Sequence, residues 1–273
     1  MRNSASRTAE RVAERRAAHQ LLDSPLVFDD PLAVRIIAPE ARATLTRERS
    51  PLDPYFRAAF AVRSRFAEDA LSDAVKRGLT QYVVLGAGFD TFAYRNPFAN
   101  LRVFEVDHPA TQRVKRERLA AANIAVPENV VFLPVDFSGT RLDDALPIDR
   151  SKPAFFSWLG VVPYLELPAI RSTFRYIAGL PRGSEVVFDY GIPRQSLSPA
   201  ARFVFDRLAR RVASAGEPFR TFFDPPGLIR MMREEGFADV EDFGPGALNG
   251  RYFAGRGDGL RVGDALHIAR GIV

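Results

Sequence analysis

Apolar positions fall into two regimes along this chain. Between Pro54 and Arg77, the residues Phe56, Ala59, Phe60, Ala67, Ala70, Leu71 and Ala74 recur at helical spacing, and Gly78 sits where a helix would end. From residue 79 onward the apolar residues come instead in short continuous runs closed by turn formers, over 82–85, 102–106, 130–135, 154–158 and 185–189. Helical patterns lie over 109–122, 168–178 and 225–235, and a last strand pair is expected over 238–243 and 265–270, with the Gly-rich stretch 255–259 as its turn. Strands that are apolar throughout, alternating with helices, imply a mostly parallel sheet covered on both faces, hence a doubly wound α/β fold. A ligand of such a fold lies outside the carboxyl ends of the strands. One residue interrupts the long helical stripe. Arg63 falls three residues after Phe60 and four before Ala67, so its guanidinium occupies a face that should be buried and needs an anion there. That anion is either an acidic side chain or the carboxylate of a ligand.

Composition narrows the classes that remain. With 273 residues, 47% of them hydrophobic, and 22 Phe, the chain has core enough for one large domain, and disorder is excluded for most of it. The absence of cysteine removes disulfides, thiolate metal sites and cysteine nucleophiles, and no metal is expected. The first twenty residues alternate charge with alanine, and no run approaches the roughly 18 apolar residues of a membrane span, so a soluble cytoplasmic protein is expected. The net charge of +5 comes from arginines interspersed with acids, a solvated basic surface rather than a nucleic-acid footprint.

The candidate chemistry begins at the first strand. It runs directly into Gly86-Ala87-Gly88-Phe89-Asp90-Thr91, where glycines allow a tight turn and a close approach of ligand to backbone. The next strand ends at Asp107, about twenty residues on, where a carboxylate accepts hydrogen bonds from ribose hydroxyls. The third ends in Val135-Asp136-Phe137, an acid suited to an adenine amine with an aromatic ring beside it. Thr91 stands in place of the third glycine of the dinucleotide fingerprint, and no GxxxxGK[ST] occurs, so no pyrophosphate site is evident. An adenosine ligand without phosphates remains, namely S-adenosyl-L-methionine.

These words resemble a known family. QYVVLGAGFDTFAYR, VFEVDHPATQRVKRERL and VDF, with SRTAERVAERRA, PLVFDDPLA and EPFRTFFDPPGLIRMMREEGF, are similar to the leucine carboxyl methyltransferase family, and closest to its bacterial branch of S-adenosylmethionine-dependent O-methyltransferases. The resemblance covers nearly the whole chain. It implies a class I, Rossmann-like methyltransferase fold, with an N-terminal helical lid over residues 1–78, the methyltransferase domain over 79–273, and a lid insertion at about 194–223. It further assigns Gly86 and Gly88 to the cofactor turn, Asp107 to the ribose, Asp136 with the Phe137 backbone to the adenine, and Arg63 to the methionine carboxylate, with Arg16 as a second cation. The family usually carries an acid where this chain has Leu159, so the donor's ammonium must be held here by backbone carbonyls or by another acid.

Methyl transfer is an in-line displacement, for which alignment and exclusion of water supply most of the acceleration. A carboxylate acceptor needs no base, whereas a phenol or alcohol does. Of His19, His108 and His267, the second is best placed, either as a base or simply as the cap of the following helix. Tyr164, just past the fourth strand, either orients the acceptor or lines the wall. An aromatic surplus, Trp158, Tyr190, Phe203, Phe205, Phe219, Phe222 and Phe223, gathers around the fourth and fifth strand exits and the insertion, which suits an apolar or aromatic acceptor. From these, Tyr164 and His108 are the candidate catalytic residues, and Trp158, Tyr190, Phe203 and Phe222 the candidate acceptor contacts. The expected activity is O-methylation of a small molecule at a carboxylate or hydroxyl. The alternatives are methylation of a peptide C-terminal carboxylate and a non-catalytic, RNA-associated module.

Overall fold

A computed structural model describes residues 6–48, 50–135, 142–214 and 216–273. Four helices come first: α1 (Arg7–Leu22), α2 (Ala33–Ile36), α3 (Pro39–Arg42) and α4 (Asp53–Lys76). Strands and helices then alternate as β1 (Gln81–Leu85), β2 (Arg102–Asp107), α5 (Pro109–Ala121), β3 (Val130–Pro134), α6 (Leu142–Ala145), β4 (Phe155–Trp158), α7 (Leu167–Ala178) and β5 (Glu185–Gly191). The chain ends with α8 (Pro199–Ser214), α9 (Pro225–Glu234), β6 (Asp239–Phe243), α10 (Pro245–Tyr252) and β7 (Leu266–Ile272).

The strands form one sheet in the order β3-β2-β1-β4-β5-β7-β6. β1 to β5 pair in parallel, with Val83 in register with both Phe104 and Phe156, while β7 runs antiparallel between β5 and β6. The pleat divides each strand between two cores. Val83, Leu85, Phe156, Trp158, Val186 and Phe188 pack under α7 and α9, through Ile170, Phe174 and Met232. Tyr82, Val84, Phe155 and Val187 pack on the other face under Ala61, Leu71 and Ala74 of α4. Burial on both faces is why these runs show no polar alternation.

The expected last strand pair forms, β6 antiparallel to β7, but the glycines at 255–259 are not a tight hairpin turn between them, because α10 and a long connection separate the two strands.

The N-terminal helices lie at the carboxyl edge. Ser6 Oγ accepts from Ala9 N at 3.2 Å and caps α1, whose Ala13 and Ala17 pack with Phe89 of the β1 exit and Leu119 of α5. The buried Arg16 of α1 reaches Thr91 at 3.0 Å and Asp90 at 3.2 Å, and pairs with Asp30, so this helix is anchored on the turn that follows β1. Among the described residues no helix is long and apolar enough to cross a membrane.

Candidate active site

Two adjoining chambers occupy this carboxyl edge. The first, of about 820 Å³, lies on the β1 turn. Gly86 has φ +70°, and a Cβ added there would stand 2.3 Å from Val161 Cγ2, so the backbone needs glycine both for its conformation and for its closeness to the β4 exit. Gly86 N and Ala87 N both donate to Val106 O, at 2.8 and 3.0 Å, which ties the turn to β2. Asp107 at the tip of β2 accepts from the backbone N–H of Gly88 with one carboxylate oxygen and of His108 with the other. Burial pushes the Asp107 carboxyl up, and these two amides oppose that shift. Gly86, Gly88, Asp107, Arg63, His108 and Tyr164 all line this chamber. Asp136 and Phe137 lie outside the described residues.

The second chamber, of about 620 Å³, is more aromatic. Phe56 and Phe60 of α4 form one wall, and Phe205, Phe219 and Phe222 of the α8 segment form another. Phe219 packs on the Tyr164 ring with centroids 5.3 Å apart, and on Phe205 and Phe222 at 6.0 and 6.1 Å. The segment is laced onto the β4 exit by Arg220 N to Pro163 O at 2.7 Å and by the Thr221 hydroxyl to Leu165 O at 2.6 Å.

Thr8, Val12, Arg63, Gly160 and Tyr164 line both chambers. Arg63 is buried and donates to Asp189 Oδ2 at 2.9 Å, with its guanidinium carbon 4.7 Å from the Phe60 ring centroid. It thus has an internal acidic partner, one of the two anions the sequence allowed, and it also lines the first chamber. Asp189, at the β5 tip, was not singled out by motif. It accepts from Gly160 N as well, and a Cβ on Gly160, at φ +72°, would stand 2.9 Å from the Arg63 nitrogens. The clue was available, since an acid ending a buried strand is what singled out Asp107.

The other expected residues divide. Tyr164 sits at the shared wall, and its hydroxyl is hydrogen-bonded to that of Thr8. Burial pushes its phenol up to about 12, with Arg63 opposing and Glu217 and Asp189 adding to the rise. Tyr190 and Phe222 line the second chamber, the Tyr190 hydroxyl donating to Asp242 at 2.6 Å. Trp158 does not: it is fully buried, edge-on to Phe174 at 6.0 Å, because its pleat position points it under α7 rather than toward the strand exits. Phe203 is also displaced from the expected role, lying 67% exposed on α8 and outside both chamber walls. Leu159 lines the first chamber with an apolar side chain. His19 is buried against Asp23 at 2.7 Å, and His267 pairs with Asp242 at 3.0 Å.

His108 accepts from Ala110 N at 3.2 Å through Nδ1, which makes it the N-cap of α5. Its replacement by alanine is expected to cost about 1 kcal/mol of folding stability, measured by urea denaturation.

This sheet order, with a glycine turn and an acid at successive strand tips, defines a class I S-adenosyl-L-methionine-dependent methyltransferase. A putative methyltransferase from Thermobifida fusca has the same fold, with TM-score 0.56, 18% identity, and coverage of 91% of this chain and 96% of that one. The profile of the leucine carboxyl methyltransferase family matches residues 9–178, and the chain belongs to that family. Among its relatives, a protein of Bacillus subtilis (strain 168) described as "Putative S-adenosyl-L-methionine-dependent methyltransferase YktD" is 29% identical, over 97% of both chains. Another of the same description, without a gene name, from Mycobacteroides abscessus is 32% identical over 67% of this chain and 64% of its own length.

Proposed function

We propose that this enzyme methylates the carboxylate oxygen of a small, largely apolar acid held in the second chamber, with the donor in the first. The observation that carries this reading is the wall the chambers share. S-adenosyl-L-methionine, when bound, supplies an electrophilic methyl on a sulfonium sulfur. Gly86 and Gly88 cradle its nucleoside, Asp107 accepts from its ribose hydroxyls, Asp136 and Phe137 take its adenine, and Arg63 holds its carboxylate. Helix α1 and the α8 segment line the two chambers. Phe56, Phe60, Phe205, Phe219 and Phe222 give the acceptor an apolar seat, with Tyr190 behind them.

The choice of carboxylate over hydroxyl follows from protonation. The ionisable side chains at the shared wall are Arg63 and Tyr164. A phenol held up to about 12 is a hydrogen-bond donor at neutral pH and cannot take a proton from an alcohol. Tyr164 therefore orients an acceptor that arrives already ionised. A chamber of about 620 Å³ walled by Phe205, Phe219 and Phe222 also suits a small acid better than a peptide C-terminus.

Incubation with methyl-labelled donor and a panel of aryl and alkyl carboxylic acids, with the matching alcohols and amides, tests this. Base-labile methyl esters are expected from the acids alone; base-stable ethers, or transfer only to peptides with free C-termini, would overturn it. On a carboxylate acceptor kcat/KM should stay flat from about pH 6.5 to 9, since the Tyr164 phenol, pushed up to about 12 by burial, keeps its proton throughout that range. Tyr164→Phe should lower kcat/KM about tenfold, the worth of one hydrogen bond to an anion, without adding a basic limb to the pH profile.

A further inference from the structure

Besides its aromatic walls, the second chamber has a cationic one. Arg7, Arg11 and Arg15 of α1 line it, each four residues after the last and so on one face of the helix. At about 100° per residue, the α1 positions that line this chamber fill an arc with Arg11 at its middle. Thr8 and Val12, which also line the first chamber, stand at one edge of that arc, and Glu10 and Glu14 at the other. Arg11 lines the second chamber and not the first.

The charges of the chamber do not cancel. Arg63 is bound to Asp189 at 2.9 Å and Arg15 to Asp53 at 2.7 Å. Glu10 is drawn away to Arg118 of α5 at 2.5 Å. Arg11 is half-buried and Arg7 exposed, and among the described residues neither has an ion-pair partner. Glu14 is the acid left on the wall to set against Arg7, Arg11 and the exposed Arg47. A half-buried guanidinium beside an apolar hollow is well suited to an anion that arrives with an apolar body, since its planar fork grips a carboxylate by two hydrogen bonds.

We propose that the acceptor is a diacid: one carboxylate is methylated at the shared wall, and a second, unreacting one is bound by Arg11, with Arg7 one turn away. The aromatic side chains take the body between them. Transfer forms the O–CH3 bond at the near carboxylate as the S–CH3 bond of the donor breaks, and the far carboxylate keeps its charge. A monoester presents one anion instead of two, so it is a poorer acceptor than the diacid and accumulates.

This inference rests on the acceptor half of the proposed function, and the test keeps the two apart. Methyl-labelled donor would be offered with benzene-1,4-dicarboxylate and biphenyl-4,4′-dicarboxylate, each beside its monoacid. The wild type is expected to favour at least one diacid over its monoacid about tenfold in kcat/KM, as for one charged hydrogen bond at a half-buried site, and to stop at the monoester. In Arg11→Met that ratio should fall to about twofold or less, and Arg11→Glu should reverse it. Raising the salt should shrink the wild-type ratio as well. No preference in the wild type for either diacid, or a ratio that survives Arg11→Met, would overturn the proposal. So would an equal loss on both acids of a pair, which is the result if Arg11 holds the reacting carboxylate or merely supports the wall. A last pair, 4′-hydroxybiphenyl-4-carboxylate and 4-hydroxybiphenyl, covers the other reacting group. Ether formation that favours the hydroxy acid, and loses this bias in Arg11→Met, would uphold the anion site while refuting methylation at a carboxylate.

Discussion

Arg63→Met is expected to weaken S-adenosylhomocysteine binding about a hundredfold and to cost about 3 kcal/mol of folding stability. The two effects have different origins. The stability loss comes from Asp189, which is buried with Arg63 and would lose that partner while keeping the hydrogen bond from Gly160 N. The affinity loss comes from the guanidinium facing the first chamber. The double variant Arg63→Met, Asp189→Asn removes the stranded charge, so stability should largely return while affinity does not. Denaturant titration and calorimetry on the same preparations separate them. Unchanged affinity in the single variant would reduce Arg63 to the structural partner of Asp189.

Gly86→Ala is expected to destabilise the fold by about 3 kcal/mol and to abolish measurable donor binding. Part of the cost, about 1–2 kcal/mol, is that of an L side chain in left-handed backbone at φ +70°. The remainder, about 1–3 kcal/mol, is overpacking, because the new methyl would meet Val161 Cγ2 at 2.3 Å. Trimming the neighbour in Gly86→Ala, Val161→Ala should recover the second part and leave the first. Since Val161 also lines the donor chamber, binding should stay impaired in the pair. Equal stability of the single and double variants would show that the turn shifts to relieve the contact.

The parallel part of the sheet was legible because its strands are buried on both faces. Val83 and Leu85 serve one core and Tyr82 and Val84 the other, and such a run reads as a strand whichever way it is turned. α10 was not legible: Gly246 and Gly250 weaken its helical signal, and Leu248 is its one buried side chain, so no apolar stripe marks it. Trp158 was misplaced for a different reason. Position along a strand says that a residue is near the exit, but only the pleat says which face it joins, and Trp158 shares parity with Phe156 under α7. In the site, the anomaly at Arg63 was visible as a charge in an apolar stripe, while its partner lay 126 residues away on β5. The contact between Thr8 and Glu217 spans 209 residues, beyond the reach of any local pattern. The glycine turn is conspicuous in sequence because its residues are neighbours; the wall shared by the two chambers is assembled from α1, α4 and the β4 exit, and only folding brings them together.

One stretch of chain, from α8 to the start of α9, furnishes Phe205, Phe219 and Phe222 to the second chamber and Glu217 to the first. Exchanging that stretch between relatives to reshape the aromatic chamber would therefore also alter a wall of its neighbour. An engineer who transplants the aromatics moves the glutamate with them, and must keep the Ser6 and Thr8 hydroxyls that hold it.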